Sequence, residues 1–121
     1  MIKYGVILDP KLYSLVSQNL KTIVEKRKEN VLRAIVRDSI GIKARIVEKD
    51  ELETKGLRTI LNFGHAFGHA LEKLTHYRKF LHGEAVSVGM ILAARFSVQQ
   101  GYCSEQFVEM LKDCLEKTGL P

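Results

Sequence analysis

Apolar and polar positions follow helical spacing along most of the chain. Asp9-Pro10 combines a capping carboxylate with a proline suited to the first helical turn, and apolar residues then recur at helical spacing up to a charged break at 26–30. A second apolar pattern covers 30–49 and extends over more than one face. It predicts a long helix that is buried on two sides.

The remaining segments also favour helices. Residues 84–100 are almost entirely small or apolar, which predicts a central buried helix. A last helix is predicted from a cap at Ser104 to a stop at Gly119. The apolar segment 1–8 resembles the tail of an element that began earlier. Since no segment has a convincing strand pattern, we predict an all-α fold, a helical bundle forming a single domain over 1–121.

The stretch from Leu57 to Leu74 is predicted as one helix with two unlike faces. One face carries side chains capable of chemistry, namely Arg58, Asn62, His65, His69 and Glu72. The opposite face is predicted as core and carries Ile60, Phe63, Phe67, Ala70, Leu71 and Leu74. Gly64 and Gly68 cost a helix roughly 1 kcal/mol each relative to alanine, so they make sense where another backbone or a ligand comes close. We favour a functional site here over a packed or solvated helix.

Composition and charge narrow the classes of function. The chain has 121 residues, of which 45% are hydrophobic and 27% charged, as in ordinary globular proteins. No apolar run approaches the ~20 residues of a membrane span, and no leader opens the chain, so we expect a cytoplasmic protein without membrane contact. The net charge of +5 fits an anionic small molecule, a membrane surface or nucleic acid. Nucleic acid is set aside because no aromatic residues interleave the basic run at 26–28.

The histidines suggest a metal site. His65 and His69 stand four apart on a predicted helix, as in the metalloprotease pattern, but Ala66 occupies the place of the catalytic glutamate, which excludes a protease. His82 lies just before the next helix and could reach a metal from a second element. Zinc commonly takes such ligands, with three from the protein at a catalytic site.

Two longer motifs resemble the 3-dehydroquinate synthases. They are GHAFGHALE at 64–72 and LHGEAV at 81–86. The flanks agree with the family as well, in Ile2-Lys3-Tyr4-Gly5 and in the segment that begins at Lys43-Ala44. The resemblance covers essentially the whole chain.

This resemblance implies a lyase of the shikimate pathway, which makes aromatic amino acids. Such an enzyme converts 3-deoxy-D-arabino-heptulosonate 7-phosphate (DAHP), a phosphorylated sugar acid, into 3-dehydroquinate and phosphate. It uses NAD for a transient oxidation and a divalent metal, typically zinc and possibly cobalt, as Lewis acid. The family enzyme is expected to be a homodimer.

Site residues follow from the resemblance position by position. His65 and His82 match the histidine metal ligands, and His69 matches the histidine near the phosphate and proton transfers. Substrate contacts are matched by Lys3, Lys43, Arg58 and Asn62, and an active-site carboxylate by Glu53. On pattern alone, Lys43 would be a lysine extending to solvent and Glu53 a solvated glutamate.

The chain also departs from the family pattern. The family's third metal ligand is a glutamate just before the position of Met1, and no glycine-rich strand-turn-helix for NAD is present. We therefore expect a fragment, most of the C-terminal helical domain, that is inactive by itself. Two alternatives stay open: another sugar-phosphate cyclase such as 2-deoxy-scyllo-inosose synthase, and a non-catalytic helical metal-binding module.

Overall fold

The structure is a computed structural model that describes residues 2–26 and 28–121. Met1 and Arg27, which the sequence analysis placed in an opening apolar element and in a basic break, lie outside the described residues. All regular structure in the described ranges is helical, with no strand among them, which confirms the all-α fold class. None of the described helices is long and apolar enough to cross a membrane.

The chain divides into two compact units, Met1–Leu61 and Asn62–Pro121. The first contains α1 (Ile2–Leu8), α2 (Pro10–Gln18), α3 (Leu20–Val24) and α4 (Glu29–Lys49). The second contains α5 (His65–Leu74), α6 (His82–Gln99) and α7 (Glu105–Glu116). A 3-10 helix, Leu57–Asn62, ends at the first residue of the second unit. A single domain over 1–121 stays a prediction.

The first unit begins with two closely packed helices. The Asp9 carboxylate accepts hydrogen bonds from the backbone amides of Lys11 (2.9 Å) and Leu12 (3.2 Å), and Pro10 occupies the first turn, so the predicted helix start is confirmed. A Cβ atom on Gly5 would lie 2.7 Å from the backbone nitrogen of Tyr13, so α1 and α2 are in backbone contact. The core of this unit contains Leu12, Val16, Leu20, Ile35 and Ile42.

Helix α4 is confirmed to within one residue, but its predicted burial on two sides is wrong. Its buried residues, Ile35, Ser39 and Ile42, form one stripe at helical spacing. Val36 and Ile40 are 42% and 62% exposed. Within this unit α4 contacts α1 and α2, and these contacts leave Val36 and Ile40 exposed.

The segment after α4 is organised by Asp50, which is buried at 2% exposure. Its carboxylate accepts hydrogen bonds from the backbone amides of Lys55 (2.9 Å) and Arg58 (3.3 Å). The Lys55 amide is the main cause that holds the pKa of Asp50 below its ordinary value, against the opposing effect of burial. The segment 50–58 is therefore folded back on the Asp50 carboxylate, which fixes the start of the 3-10 helix.

The predicted continuous helix from Leu57 to Leu74 is wrong. The 3-10 helix ends at Asn62, and Gly64 then adopts a left-handed conformation (φ 79°) as the N-cap of α5. A Cβ atom on Gly64 would lie 2.8 Å from both the Met90 nitrogen and the Val86 carbonyl oxygen. The contact with α6 thus selects glycine at the break, and Arg58 and Asn62 do not share a helical face with the histidines of α5.

Helices α5 and α6 meet through glycines. A Cβ atom on Gly68 would lie 3.1 Å from the Ala85 carbonyl oxygen, and one on Gly89 would lie 2.7 Å from the Gly68 nitrogen. The expectation that Gly64 and Gly68 allow a close backbone approach is confirmed. The predicted core face of α5 is wrong in part, because Phe67 and Leu74 are 38% and 79% exposed while Gly68 and Glu72 are buried. The helix turns its glycine face, not its apolar face, toward α6.

Helix α6 starts two residues earlier than predicted, where the Leu81 amide donates to Glu84 at 2.8 Å. Most residues from Ala85 to Met90 are buried, as expected, but Leu92 and Phe96 further along the helix are 41% and 54% exposed. The cap at Ser104 is confirmed, since its hydroxyl accepts from the Phe107 amide at 3.3 Å. Four residues of α7 are buried in this unit: Val108, Leu111, Cys114 and Leu115.

Candidate functional site

Three histidines of the second unit form one cluster. His65 and His69 lie one turn apart on α5, and His82 is the first residue of α6. The ring centroids are 5.6 Å apart for His65 and His69, 5.5 Å for His65 and His82, and 5.6 Å for His69 and His82. The glycine contacts between α5 and α6 place His82 beside the histidine pair. Rings from two separate helices are thus brought together, as predicted from the sequence.

The carboxylate of Glu72 contacts two of these rings. Its Oε2 atom is 2.9 Å from Nδ1 of His69, and its Oε1 atom is 3.0 Å from Nδ1 of His82. Glu72 is 6% exposed, whereas the side chains of His69 and His82 are 59% and 57% exposed. The carboxylate therefore lies in the protein while the rings extend from it toward solvent.

Glu72 lies on the predicted histidine face, but no role was predicted for it from the sequence. The available signal was its position in GHAFGHALE, three residues after His69 and on the same side of the helix. Its contact with His82, ten residues further along the chain, depends on the packing of α6 and could not be inferred from helical spacing.

Hydrogen bonds control the charge of this carboxylate. The hydrogen bond with His69 is the largest cause that lowers the pKa of Glu72 below its ordinary value, and the hydrogen bond with His82 is the next largest. Burial acts in the opposite direction. Glu72 is therefore an anion at neutral pH. It provides a fixed negative charge behind the imidazole rings.

The cluster fits a divalent metal by the chemistry of its donors. His69, Glu72 and His82 offer ligand atoms that all lie within 4.8 Å of one another, and imidazole nitrogen with carboxylate oxygen is a donor set that zinc uses. His65, the other predicted ligand, has its Nδ1 atom 3.4 Å from the Phe63 carbonyl oxygen. Two ligand sets are thus compatible with the cluster: the predicted pair His65 and His82, and the group His69, Glu72 and His82.

Two predicted substrate contacts come together in the first unit. The Lys3 ammonium donates to the Leu61 carbonyl oxygen at 2.6 Å and is half-buried. The pKa of Lys3 is lowered mainly by burial, and to a smaller extent by the positive charge of Lys43. Lys43 itself is exposed on α4. These two lysines form a local concentration of positive charge that an anion would stabilise.

Arg58 and Glu53 form a second pair in the same unit. Arg58 Nη2 is 3.1 Å from Glu53 Oε1, and Arg58 Nη1 donates to the Glu51 carbonyl oxygen at 3.3 Å. Glu53 has a positive φ of 55°, which is uncommon for a residue other than glycine. It is exposed, as expected from the pattern, but its carboxylate is held by the guanidinium. Asn62 belongs to the second unit and is exposed at the end of the 3-10 helix.

Comparison with known proteins places these features in a family. The model of the family described as 3-dehydroquinate synthase C-terminal matches residues 1–121. The chain belongs to this family. The resemblance inferred from the GHAFGHALE and LHGEAV motifs is therefore confirmed.

Individual members of the 3-dehydroquinate synthases show the same similarity. The chain is 44% identical to a 3-dehydroquinate synthase from a Geobacter species, 43% to one from Thermoanaerobacter pseudethanolicus and 46% to one from Caldanaerobacter subterraneus. Each match covers 100% of this chain and 33% of the relative. The chain thus spans about one third of the length of these curated relatives.

Proposed function

We propose that this chain provides the metal- and substrate-binding part of a 3-dehydroquinate synthase, which converts DAHP into 3-dehydroquinate and phosphate. The observation that carries the proposal is the cluster of His65, His69 and His82 from two helices, in a chain of this family. The proposal includes a cytoplasmic location, a homodimeric enzyme and a dependence on NAD, for which none of the described residues is assigned.

We propose His65 and His82 as metal ligands, in accordance with the family pattern, for zinc or cobalt. A bound divalent metal supplies Lewis-acid polarisation of a substrate oxygen. The ring centroid of His69 lies 5.6 Å from the ring centroids of both His65 and His82. His69 would exchange a proton near the phosphate group of the substrate. Glu72 holds the His69 ring through Nδ1, so that its other nitrogen remains available.

The cationic side chains would bind the two anionic groups of the substrate. Lys3 and Lys43 concentrate positive charge, and Arg58 can hold a planar anion through two parallel hydrogen bonds. Glu53 orients the Arg58 guanidinium before substrate arrives. Asn62 would contribute a neutral amide to the same substrate. Groups placed in advance stabilise developing charge without reorganisation, which is the main advantage of an electrostatic site.

The test is phosphate release from DAHP, with NAD and zinc, by the enzyme that contains these residues. His82→Ala should abolish release, whereas His76→Asn, at an exposed histidine outside the cluster, should leave it unchanged. Glucose 6-phosphate in place of DAHP tests for another sugar-phosphate cyclase, and its preferred turnover would overturn the assignment. Residues 1–121 alone should release no phosphate above background.

The second candidate is a helical metal-binding module without catalysis. It is favoured by the compact group of His69, Glu72 and His82, which can offer three ligand atoms without any further residue. This candidate predicts zinc uptake while DAHP has no effect on thermal stability. Stabilisation by DAHP would exclude it.

A further inference from the structure

Both oxygen atoms of Glu72 are engaged by histidines that come from different helices. Oε2 contacts Nδ1 of His69 within α5, and Oε1 contacts Nδ1 of His82 at the start of α6. Each contact therefore uses a separate oxygen atom, and each histidine uses the same ring nitrogen, Nδ1.

The number of protons on Glu72 limits which atoms can donate in these two hydrogen bonds. A carboxyl group carries at most one proton, so at least one of the two Nδ1 atoms must donate. When the carboxylate is ionised, both Nδ1 atoms must donate, because an ionised carboxylate only accepts. A neutral imidazole that donates from Nδ1 has its lone pair on Nε2. The same carboxylate thus sets the proton position on two rings.

We propose that Glu72 is a positioning residue that holds His69 and His82 in the Nδ1–H tautomer and presents both Nε2 lone pairs on the exposed side of the cluster. The tautomers themselves do not depend on the proposed function. The proposal rests on that function only for the partners of the two Nε2 atoms, which are a metal ion at His82 and a transferred proton at His69. Metal-binding histidines commonly donate their other nitrogen to a carboxylate in this way.

The surroundings of Glu72 suit this role. It is 6% exposed and lies one turn after Gly68, the residue at which α5 contacts the α6 backbone. A buried carboxylate is costly unless it is hydrogen-bonded, so its conformation is tied to the two rings. The rings are more than half exposed, and without Glu72 the described contacts of their Nδ1 atoms would be lost.

The first experiment measures tautomers by ¹⁵N NMR of the histidine rings in the metal-free protein, at a pH at which the rings carry no charge. We expect His69 and His82 in the Nδ1–H form. In Glu72→Gln the side chain has one oxygen to accept and one amide to donate, so one ring should change to the Nε2–H form. Glu72→Leu should release both rings. The matched control is Glu109→Gln, the same change at an exposed position of α7.

Unchanged tautomers in folded Glu72→Gln and Glu72→Leu would overturn the positioning role. If neither variant folds, Glu72→Asp keeps the charge with a shorter reach. It should shift at least one ring toward mixed tautomers, and two fully retained Nδ1–H forms would count against the proposal. A residue that only supported packing would not change these nitrogen shifts.

The second experiment measures zinc affinity by calorimetry. A positioning role predicts that Glu72→Gln weakens zinc binding about 10- to 100-fold with the stoichiometry unchanged. Complete loss of binding in Glu72→Gln, with binding retained in His65→Ala, would make Glu72 a direct ligand and overturn the proposal. The NMR experiment contains neither metal nor substrate, so it tests the positioning role separately from the proposed function. If the expected tautomers are found but zinc binding or DAHP turnover is absent, the positioning role is supported and the proposed function is contradicted.

Discussion

A Cβ atom added to Gly89 of α6 would lie 2.7 Å from the backbone nitrogen of Gly68 in α5. The two helices are therefore in backbone contact beside the histidine cluster. That contact determines how far His82, at the start of α6, lies from His69 on α5. The geometry of the cluster thus depends on residues that have no side chain.

Gly89→Ala should destabilise the protein by about 1–3 kcal/mol, since the added methyl group meets backbone atoms that cannot move aside like a flexible side chain. Chemical denaturation measures this change. The matched control is Gly83→Ala in the same helix, where an added Cβ atom has nothing within 4 Å. There we expect unchanged stability or a gain of up to ~1 kcal/mol. Equal stability of the two variants would show that α5 and α6 are not tightly packed.

Asp50→Asn should reduce the dependence of stability on acid pH. The folded state lowers the pKa of Asp50 below its ordinary value of 3.8, so it binds fewer protons than the unfolded state as the pH falls. The stabilisation is fully present above pH 3.8 and is lost as the pH decreases through the lowered pKa. Urea unfolding at several acid pH values measures the slope. An unchanged slope in folded Asp50→Asn would contradict this account.

Lys43→Gln should raise the pKa of Lys3, because it removes the neighbouring positive charge. Burial would still keep this pKa below 10.5, since burial is the larger cause. The folded state binds fewer protons than the unfolded state between the lowered pKa and 10.5, so stability rises with pH across that window. Lys43→Gln should make that rise smaller. An NMR titration of Lys3 measures the pKa, with Lys49→Gln near the end of the same helix as control.

Arg58→Lys should affect substrate more than stability. The pair between Arg58 and Glu53 is partly exposed, so the free energy of unfolding should change by less than ~1 kcal/mol. If the chain is part of a 3-dehydroquinate synthase as proposed, the KM of that enzyme for DAHP should rise about 10- to 100-fold, because lysine cannot reproduce two parallel hydrogen bonds; this corresponds to the loss of one hydrogen bond with a charged group. Arg33→Lys, at an exposed pair with Glu29, is the matched control for kinetics. An unchanged KM would remove Arg58 from the substrate site.

Local features could be predicted from the sequence because their physical causes are local. The helix starts at Asp9-Pro10 and Ser104 depend on hydrogen bonds to amides two or three residues away. The start of α5 could not be predicted, because the left-handed conformation of Gly64 is favoured by contacts with Val86 and Met90, more than twenty residues away. A helical wheel drawn through 57–74 could not show that break.

In the candidate site as well, features that depend on local spacing could be predicted, whereas those that depend on tertiary packing could not. Helical spacing correctly placed His65 and His69 on one side of α5, and the motif drew attention to His82. The role of Glu72 was missed because a glutamate on a polar helical face is usually solvated, whereas this one is covered by α6 and contacts His82. Burial of a charged residue depends on tertiary packing and not on spacing along the helix.

Single histidine variants should separate the two compatible ligand sets. If His65 and His82 bind zinc, His65→Ala should weaken binding by more than the ~100-fold expected from loss of an outer-shell partner, while His69→Ala should cost less than that. If His69, Glu72 and His82 bind it instead, the two effects are reversed. His82→Ala should reduce affinity in either case, because His82 belongs to both sets. Calorimetry with zinc, and absorption spectra with cobalt, measure affinity and ligand type, and His76→Asn serves as the control at an exposed histidine. A loss in His76→Asn as large as that in His82→Ala would show that zinc binds outside the cluster.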